Sequence, residues 1–233
     1  MKKNSNFLNG LSHGIPIALG YLSVSFGFGI LAVNSGLSVL QAVVISLTNL
    51  TSAGQAQGVS VIASKGTLTE MALVQLVINI RYALMALSLS QKLDTKFTRL
   101  NRLIAAYGIT DEIFAVCSTK QKTVRPSYMY GVIIISAAGW VLGTFLGAVS
   151  GELLPESLTS SMGILLYGMF IAIIIPPAGK HKSILFVVLL AAGLSVAFKY
   201  LLPMISDGYT VIICAVAASA AGAVLFPRKD EEE

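Results

Sequence analysis

Charge is what this chain lacks most. Only 12% of its 233 residues are Asp, Glu, Lys or Arg, and 55% are hydrophobic. A soluble domain carries about 25% charged residues, so a soluble fold is excluded. Histidine and cysteine are nearly as scarce. His13 and His181 stand at segment edges, and Cys117 and Cys214 lie far apart in apolar stretches. That excludes a disulfide framework and leaves no cluster for a metal. No nucleophile–base pair or cofactor motif stands out either, so neither an enzyme nor a cofactor is expected. A G-x-x-x-x-G-K-[ST] loop is missing too, so any pumping would not draw on ATP bound by this chain.

Long apolar runs dominate what remains. They occupy 14–33, 38–64, 71–91, 128–150, 158–176, 184–203 and 209–226, with a shorter, more polar run at 103–119. About twenty apolar residues cross the roughly 30 Å of bilayer hydrocarbon. The chain therefore reads as an all-α polytopic membrane protein, a single transmembrane domain over 1–233. The Lys2–Lys3 start precedes an apolar run without a cleavage site, so no removable signal is expected. The net charge of +5 does not suggest nucleic acid, because the basic residues fall in short loops between apolar runs, which is the positive-inside pattern.

Those loops orient the chain. Segments 92–102 and 120–127 carry seven basic residues against Asp94 alone, and 177–183 carries Lys180 and Lys182. These are expected to be cytoplasmic. Segment 151–157, with Glu152 and Glu156, and segment 204–208, with Asp207, are expected outside. The C-terminus then lies in the cytoplasm. If both basic loops flanking 103–119 share one side, that segment enters and leaves by the same face. The spacing predicts six full spans and two discontinuous or re-entrant segments, 38–64 and 103–119, with eight full crossings as the alternative.

Local chemistry points to the same two breaks. In SLTNLTSAGQAQG (46–58), nine of thirteen residues are polar or glycine. Ser, Thr and Asn compete for backbone hydrogen bonds, and Gly disfavours a helix by about 1 kcal/mol against Ala. In GITDEIFA (108–115), Gly108 interrupts, and Thr110 followed by Asp111 and Glu112 has the chemistry of a helix start. Irregular backbone at membrane depth persists only where it is protein-covered or lines a cavity. Paired breaks point to a transporter's substrate site.

Arg81 is eleven residues from both Glu70 and Lys92, roughly 16 Å from either end of its helix, too deep to snorkel comfortably. It either forms a structural ion pair with Asp111 or Glu112 or lines a transport path. Asn79 shares a helical face with Gln75 and Tyr82, whereas Arg81 is turned about 200° from Asn79. The run Thr48, Asn49, Thr51, Ser52, Gln55 and Gln57 either glues helices by hydrogen bonds or, clustered around Gly54 and Gly58, presents backbone to a ligand. Gly139, Gly143, Gly147 and Gly151, spaced by four around Trp140, read as a close helix-packing stripe.

Together these motifs resemble the AzlC-type branched-chain amino acid permeases, the azaleucine-resistance family. The resemblance rests on GY-x-x-V-x-FGFG (20–29), TNLTSAGQ (48–55), INIRYALMALSLS (78–90), GITDEIFA (108–115) and GW-x-x-GT-x-x-GA-x-SG (139–151). It covers roughly residues 12–151, while the last third agrees mainly in hydropathy. One departure is Ser52, where many relatives carry an aromatic residue. The resemblance implies a secondary-active exporter of branched-chain amino acids in the cell's inner (plasma) membrane, and because an apolar pocket separates one methylene by only about 1–3 kcal/mol, methionine is expected as a further substrate. It implies a small AzlD-type membrane subunit as partner, within the lipid bilayer. By motif position, the expected substrate-binding residues are Asn49, Thr51, Ser52, Gly54, Gln55, Gln57, Asn79, Arg81, Asp111 and Glu112. A passive channel, or a carrier for another small metabolite, is the alternative.

Overall fold

A computed structural model describes residues 2–119, 123–153, 168, 170–172 and 174–227. Among these residues the chain is helical. The helices are α1 (Lys2–Asn34), α2 (Val39–Thr48), α3 (Ala53–Ala63), α4 (Leu68–Ser90), α5 (Arg99–Tyr107), α6 (Asp111–Ser118), α7 (Pro126–Leu153), α8 (Lys182–Leu201) and α9 (Asp207–Leu225). Five of them are long and apolar enough to cross a membrane: α1, α4, α7, α8 and α9. The apolar run expected at 158–176 falls largely outside the described residues.

Both expected discontinuities are present. The run 38–64 splits into α2 and α3 around 49–52, and 103–119 is split between α5 and α6 around 108–110. At 1.5 Å per residue, α2, α3, α5 and α6 are each about 12–17 Å long, too short to cross alone. Ser38 starts α2 with a capping box, its hydroxyl accepting from Gln41 N while the Gln41 side chain accepts from Ser38 N. Thr98 caps α5 and Thr110 caps α6 in the same extended geometry. The local residue types therefore account for the helix starts.

The chain divides into two compact units, Met1–Ala56 with Ile78–Leu166, and Gln57–Val77 with Tyr167–Glu233. The first is built on α1 and α7, which run parallel along a glycine seam. Gly10 meets the Tyr128 carbonyl, Gly139 meets Ala18, Gly143 meets Leu22, Gly147 meets Phe26 and Gly151 meets Ile30. A Cβ at Gly147 would overlap the Phe26 carbonyl. The glycine stripe is thus an internal packing seam. Tyr21 and Trp140 face each other across it, ring centroids 5.2 Å apart in an edge-to-face arrangement.

From the end of α1 the chain turns back, and α2 lies against α7, where Ser46 Oγ is 2.7 Å from Thr144 Oγ1. The α5–α6 segment comes from the opposite end. Tyr130, one turn into α7, donates to Asn101 Oδ1 at 2.9 Å, and Gly108 packs on Ile133. The segment then closes on itself: Val124 N donates to Lys92 O (2.8 Å) and Asp94 N to Val124 O (2.9 Å). Arg125 lies 3.5 Å from Asp94, and Lys92 Nζ donates to the Ser118 carbonyl. The two basic loops are stitched together, so 99–118 leaves and returns at one level, as a re-entrant hairpin requires.

In the second unit α8 packs on α9, with Gly222 against Val187 and Phe186 edge-on to Phe226. The buried Glu70 accepts from Ser206 Oγ at 2.5 Å and lies against Gly208 in the first turn of α9. An acid suits that helix start electrostatically.

Candidate functional site

The polar centre of the first unit forms where the two broken segments meet. Tyr107, at the end of α5, donates to the carbonyl of Leu47, near the end of α2, at 2.5 Å. On one side of this junction is the break 49–52. Asn49 is the C-cap of α2, its N–H donating to Ile45 O. Ser52 has φ +44°, a left-handed conformation that few residues other than glycine adopt. Its carbonyl accepts from Ala56 N at 2.9 Å and opens α3. Gly54 is closely approached by Thr51 and by the Asn79 amide. A side chain there would displace one of them.

On the other side, Thr110 Oγ1 accepts from Ile113 N at 3.3 Å, placing Asp111 and Glu112 in the first turn of α6. The two acids diverge. Asp111 Oδ2 is 2.8 Å from Arg81, and the two side chains remain 37% and 39% exposed. Glu112 Oε2 is instead 2.5 Å from the Tyr21 hydroxyl, which also lies 2.6 Å from Thr110 Oγ1. The single tyrosine proton serves one acceptor at a time, and a carboxylate is the stronger one.

Arg81 links the two sides. Besides Asp111 it donates to Tyr82 Oη at 3.1 Å and lies over that ring at 4.9 Å, a cation–π distance. Tyr82 in turn donates to the Thr51 carbonyl at 3.5 Å. The 200° offset from Asn79 is resolved without distorting α4. Asn79 and Tyr82 meet the start of α3, while Arg81 reaches α6 and folds back onto its neighbour's ring.

Deeper in, Gln55 is almost fully buried and donates to Ser46 Oγ at 3.0 Å, extending the Ser46–Thr144 contact. Gln55 Oε1, Thr51 Oγ1 and Trp140 Nε1 are buried polar atoms with no hydrogen-bond partner among the described residues. Such groups are costly to leave unmade, and a ligand's polar atoms could satisfy them.

The expected site residues Asn49, Thr51, Ser52, Gly54, Gln55, Asn79, Arg81, Asp111 and Glu112 all belong to this unit. Gln57 falls in the second one. Sequence reasoning did not single out Tyr21, Ser46, Tyr107 or Thr144. Tyr21 had a usable signal, a phenol in the middle of an apolar span. No cluster of His, Cys, Asp and Glu suited to a metal occurs among the described residues.

Apolar spans, broken segments that meet, and a half-exposed ion pair between them define a polytopic helical membrane protein with a polar centre. The AzlC protein family model matches residues 16–154, and the chain belongs to that family. It is 25% identical over 208 residues to the inner membrane protein YgaZ of Escherichia coli K12, covering 86% of this chain and 85% of that protein. An uncharacterized membrane protein of Archaeoglobus fulgidus is 29% identical over 184 residues, 78% and 80% of the two chains. The branched-chain amino acid transport protein AzlC of Bacillus subtilis is 24% identical over 196 residues, 82% and 75%. No solved structure matches.

Proposed function

We propose that this chain is a secondary-active exporter of branched-chain amino acids and, beside them, of methionine, working with a small AzlD-type membrane subunit. It would sit in the inner membrane with its C-terminus in the cytoplasm. The observation that carries the reading is the Arg81–Asp111 pair, 2.8 Å apart and more than a third exposed on both sides, at the meeting of two helix breaks. A zwitterionic amino acid offers a carboxylate for Arg81 and an ammonium for Asp111, so it can exchange for the internal pair without stranding either charge. The polar atoms of Gln55 and Thr51 and the amide of Asn79 would orient it. An aliphatic side chain would be read only by apolar contact, and one methylene is worth about 1–3 kcal/mol in such a pocket. Valine, leucine, isoleucine and methionine would accordingly be poorly separated. The name of the Bacillus subtilis relative supports the substrate class.

The test is flux of labelled valine and methionine, with a polar amino acid as control, in proteoliposomes under an imposed pH gradient. The chain should be measured with and without its candidate small subunit. Saturable flux with counterflow supports a carrier. Unsaturable flux would mean a channel, and no flux of either amino acid with the subunit present would remove the reading.

A further inference from the structure

Two cavities adjoin beside α5. One, about 910 Å³, is apolar and lined by Leu8, Ile104, Tyr107, Ile134 and Ala137 among others. The second, about 600 Å³, is lined by Lys96, Asn101 and Arg125. Ser127 and Tyr130 line both, so the two lie side by side and present an apolar end next to a basic one. The apolar wall is open sideways: Leu8, Ile104, Tyr107 and Ile134 are between 42% and 60% exposed.

The basic end carries a surplus of positive charge. Lys96 has no acid within ion-pair distance among the described residues, and Arg125 shares Asp94 at 3.5 Å. With Asp94 as the one acid beside them, these two cations leave a net positive charge at this end. A small soluble anion would use the cations and leave the apolar slot unfilled. A lipid with a cationic headgroup would fill the slot and be repelled at its mouth. A phosphate attached to acyl chains matches both ends. Basic pockets at the ends of transmembrane helices are known to hold anionic headgroups.

We propose that this slot is a binding site for an anionic diacyl phospholipid. Its chains lie along α5 and α7, and its phosphate lies between Lys96 and Arg125. The site shares Tyr107 with the junction of the broken segments, but its lining includes neither Arg81 nor Asp111 and it does not depend on the transport reading.

Trp140, the only tryptophan, is the reporter, because Ala137 in the slot lies one helical turn before it. The full chain is delipidated and reconstituted in phosphatidylcholine with an equal minor fraction of dibrominated phosphatidylglycerol or dibrominated phosphatidylcholine. The brominated phosphatidylglycerol should quench Trp140 more strongly. Lys96→Gln should weaken its apparent affinity about five-fold, and Lys96→Gln with Arg125→Gln by about that factor again. Ala137→Phe, which fills the slot without touching a charge, should abolish the preference. Should the double variant not fold because Arg125 also anchors the loops, Lys96→Gln and Ala137→Phe decide between them. Equal quenching by the two lipids overturns the proposal, as does a preference that survives both of those single changes. Displacement of the brominated lipid by free glycerol phosphate would assign the basic end to a soluble anion and overturn it too.

Discussion

Leu93 and Val124 pair in a parallel bridge, the one backbone pairing outside the helices that joins distant segments among the described residues. Two backbones in hydrogen-bond contact cannot lie on opposite sides of about 30 Å of hydrocarbon. Cysteines introduced at Thr95 and Thr123, with Cys117 and Cys214 replaced, should therefore react with an impermeant thiol reagent from the same side. The basic surplus predicts that side to be cytoplasmic. Labelling of the two positions from opposite faces would mean that 99–118 crosses the membrane.

The stitching should also respond to pH. The Lys96 N–H donating to Asp94 Oδ1 at 3.0 Å, followed by the Arg125 and Lys96 charges, holds the Asp94 carboxyl below its ordinary value despite an opposing desolvation contribution. A group whose pKa is depressed by folding contributes stability above its unfolded value, near 3.9, and loses it as pH falls through the folded one. Asp94→Asn should speed hydrogen exchange at Val124 N–H at neutral pH. Below the carboxylate range the variant and the parent should converge. A constant difference across pH would mean that the charge of Asp94 contributes nothing to the closure.

The ion pair gives a sharper test. Arg81→Gln leaves Asp111 half-buried without its partner, and Asp111→Asn leaves the arginine. Each single change should cost about 1–2 kcal/mol, less than a fully buried pair because both side chains are more than a third exposed. The double change should cost less than the sum, with a coupling of about 1 kcal/mol. Arg81→Gln combined with Glu112→Gln should be additive, since Glu112 faces Tyr21 instead. Thermal unfolding in detergent measures all of these. Coupling to Glu112 rather than Asp111 would contradict the geometry.

The sequence carried some of this and hid the rest for identifiable reasons. Both helix breaks were legible because Ser, Thr, Asn and Gly are dense at 46–58 and because Thr-Asp-Glu has the polarity of a helix start. That Arg81 meets one of the two acids was legible because opposite charges at depth have few alternatives, but that the partner is Asp111 and not Glu112 was not, since adjacent acids at a helix start look equivalent in sequence. Gln55 and Gln57 looked equivalent as composition, but they are about 200° apart on α3, and only Gln55 meets Ser46. The α1–α7 seam could not be read. The glycines advertised a close approach, yet nothing in a one-dimensional pattern names a partner more than a hundred residues away. Tyr21 and Thr144 were hidden similarly, since their roles arise only when segments about ninety residues apart are brought together.

The seam predicts a contrast between glycines. Gly143→Ala and Gly147→Ala press a methyl into the backbone of Leu22 and Phe26 respectively, and overpacking of this kind typically costs about 1–3 kcal/mol. A Cβ on Gly20, also helical, would meet nothing within 4 Å. Gly20→Ala should be neutral or stabilising by up to about 1 kcal/mol, from helix propensity alone. Unfolding temperatures of the three variants in one detergent would show the split. Equal behaviour would mean that α1 and α7 do not pack along this stripe.

Tyr21 is the residue whose change best separates structure from transport. Its hydroxyl lies 2.5 Å from Glu112 Oε2 and 2.6 Å from Thr110 Oγ1, while its ring packs edge-on against Trp140. Tyr21→Phe keeps the ring and removes the donor, so the aromatic contact should survive. A hydrogen bond to a charged group is worth about 1.5–3 kcal/mol, and that sets the ceiling on lost stability. If Glu112 only anchors the start of α6, the variant should unfold earlier while valine flux per folded molecule and its pH profile stay unchanged. If Glu112 takes part in transport, losing the phenol should shift the pH dependence of flux. Glu112→Gln should abolish that dependence, and it should make the further change Tyr21→Phe nearly silent. A substrate-binding role for Glu112, which the family resemblance implies by motif position, expects the second pattern. Normal flux with an unaltered pH profile in both variants would confine the site to Arg81, Asp111 and the break at 49–52.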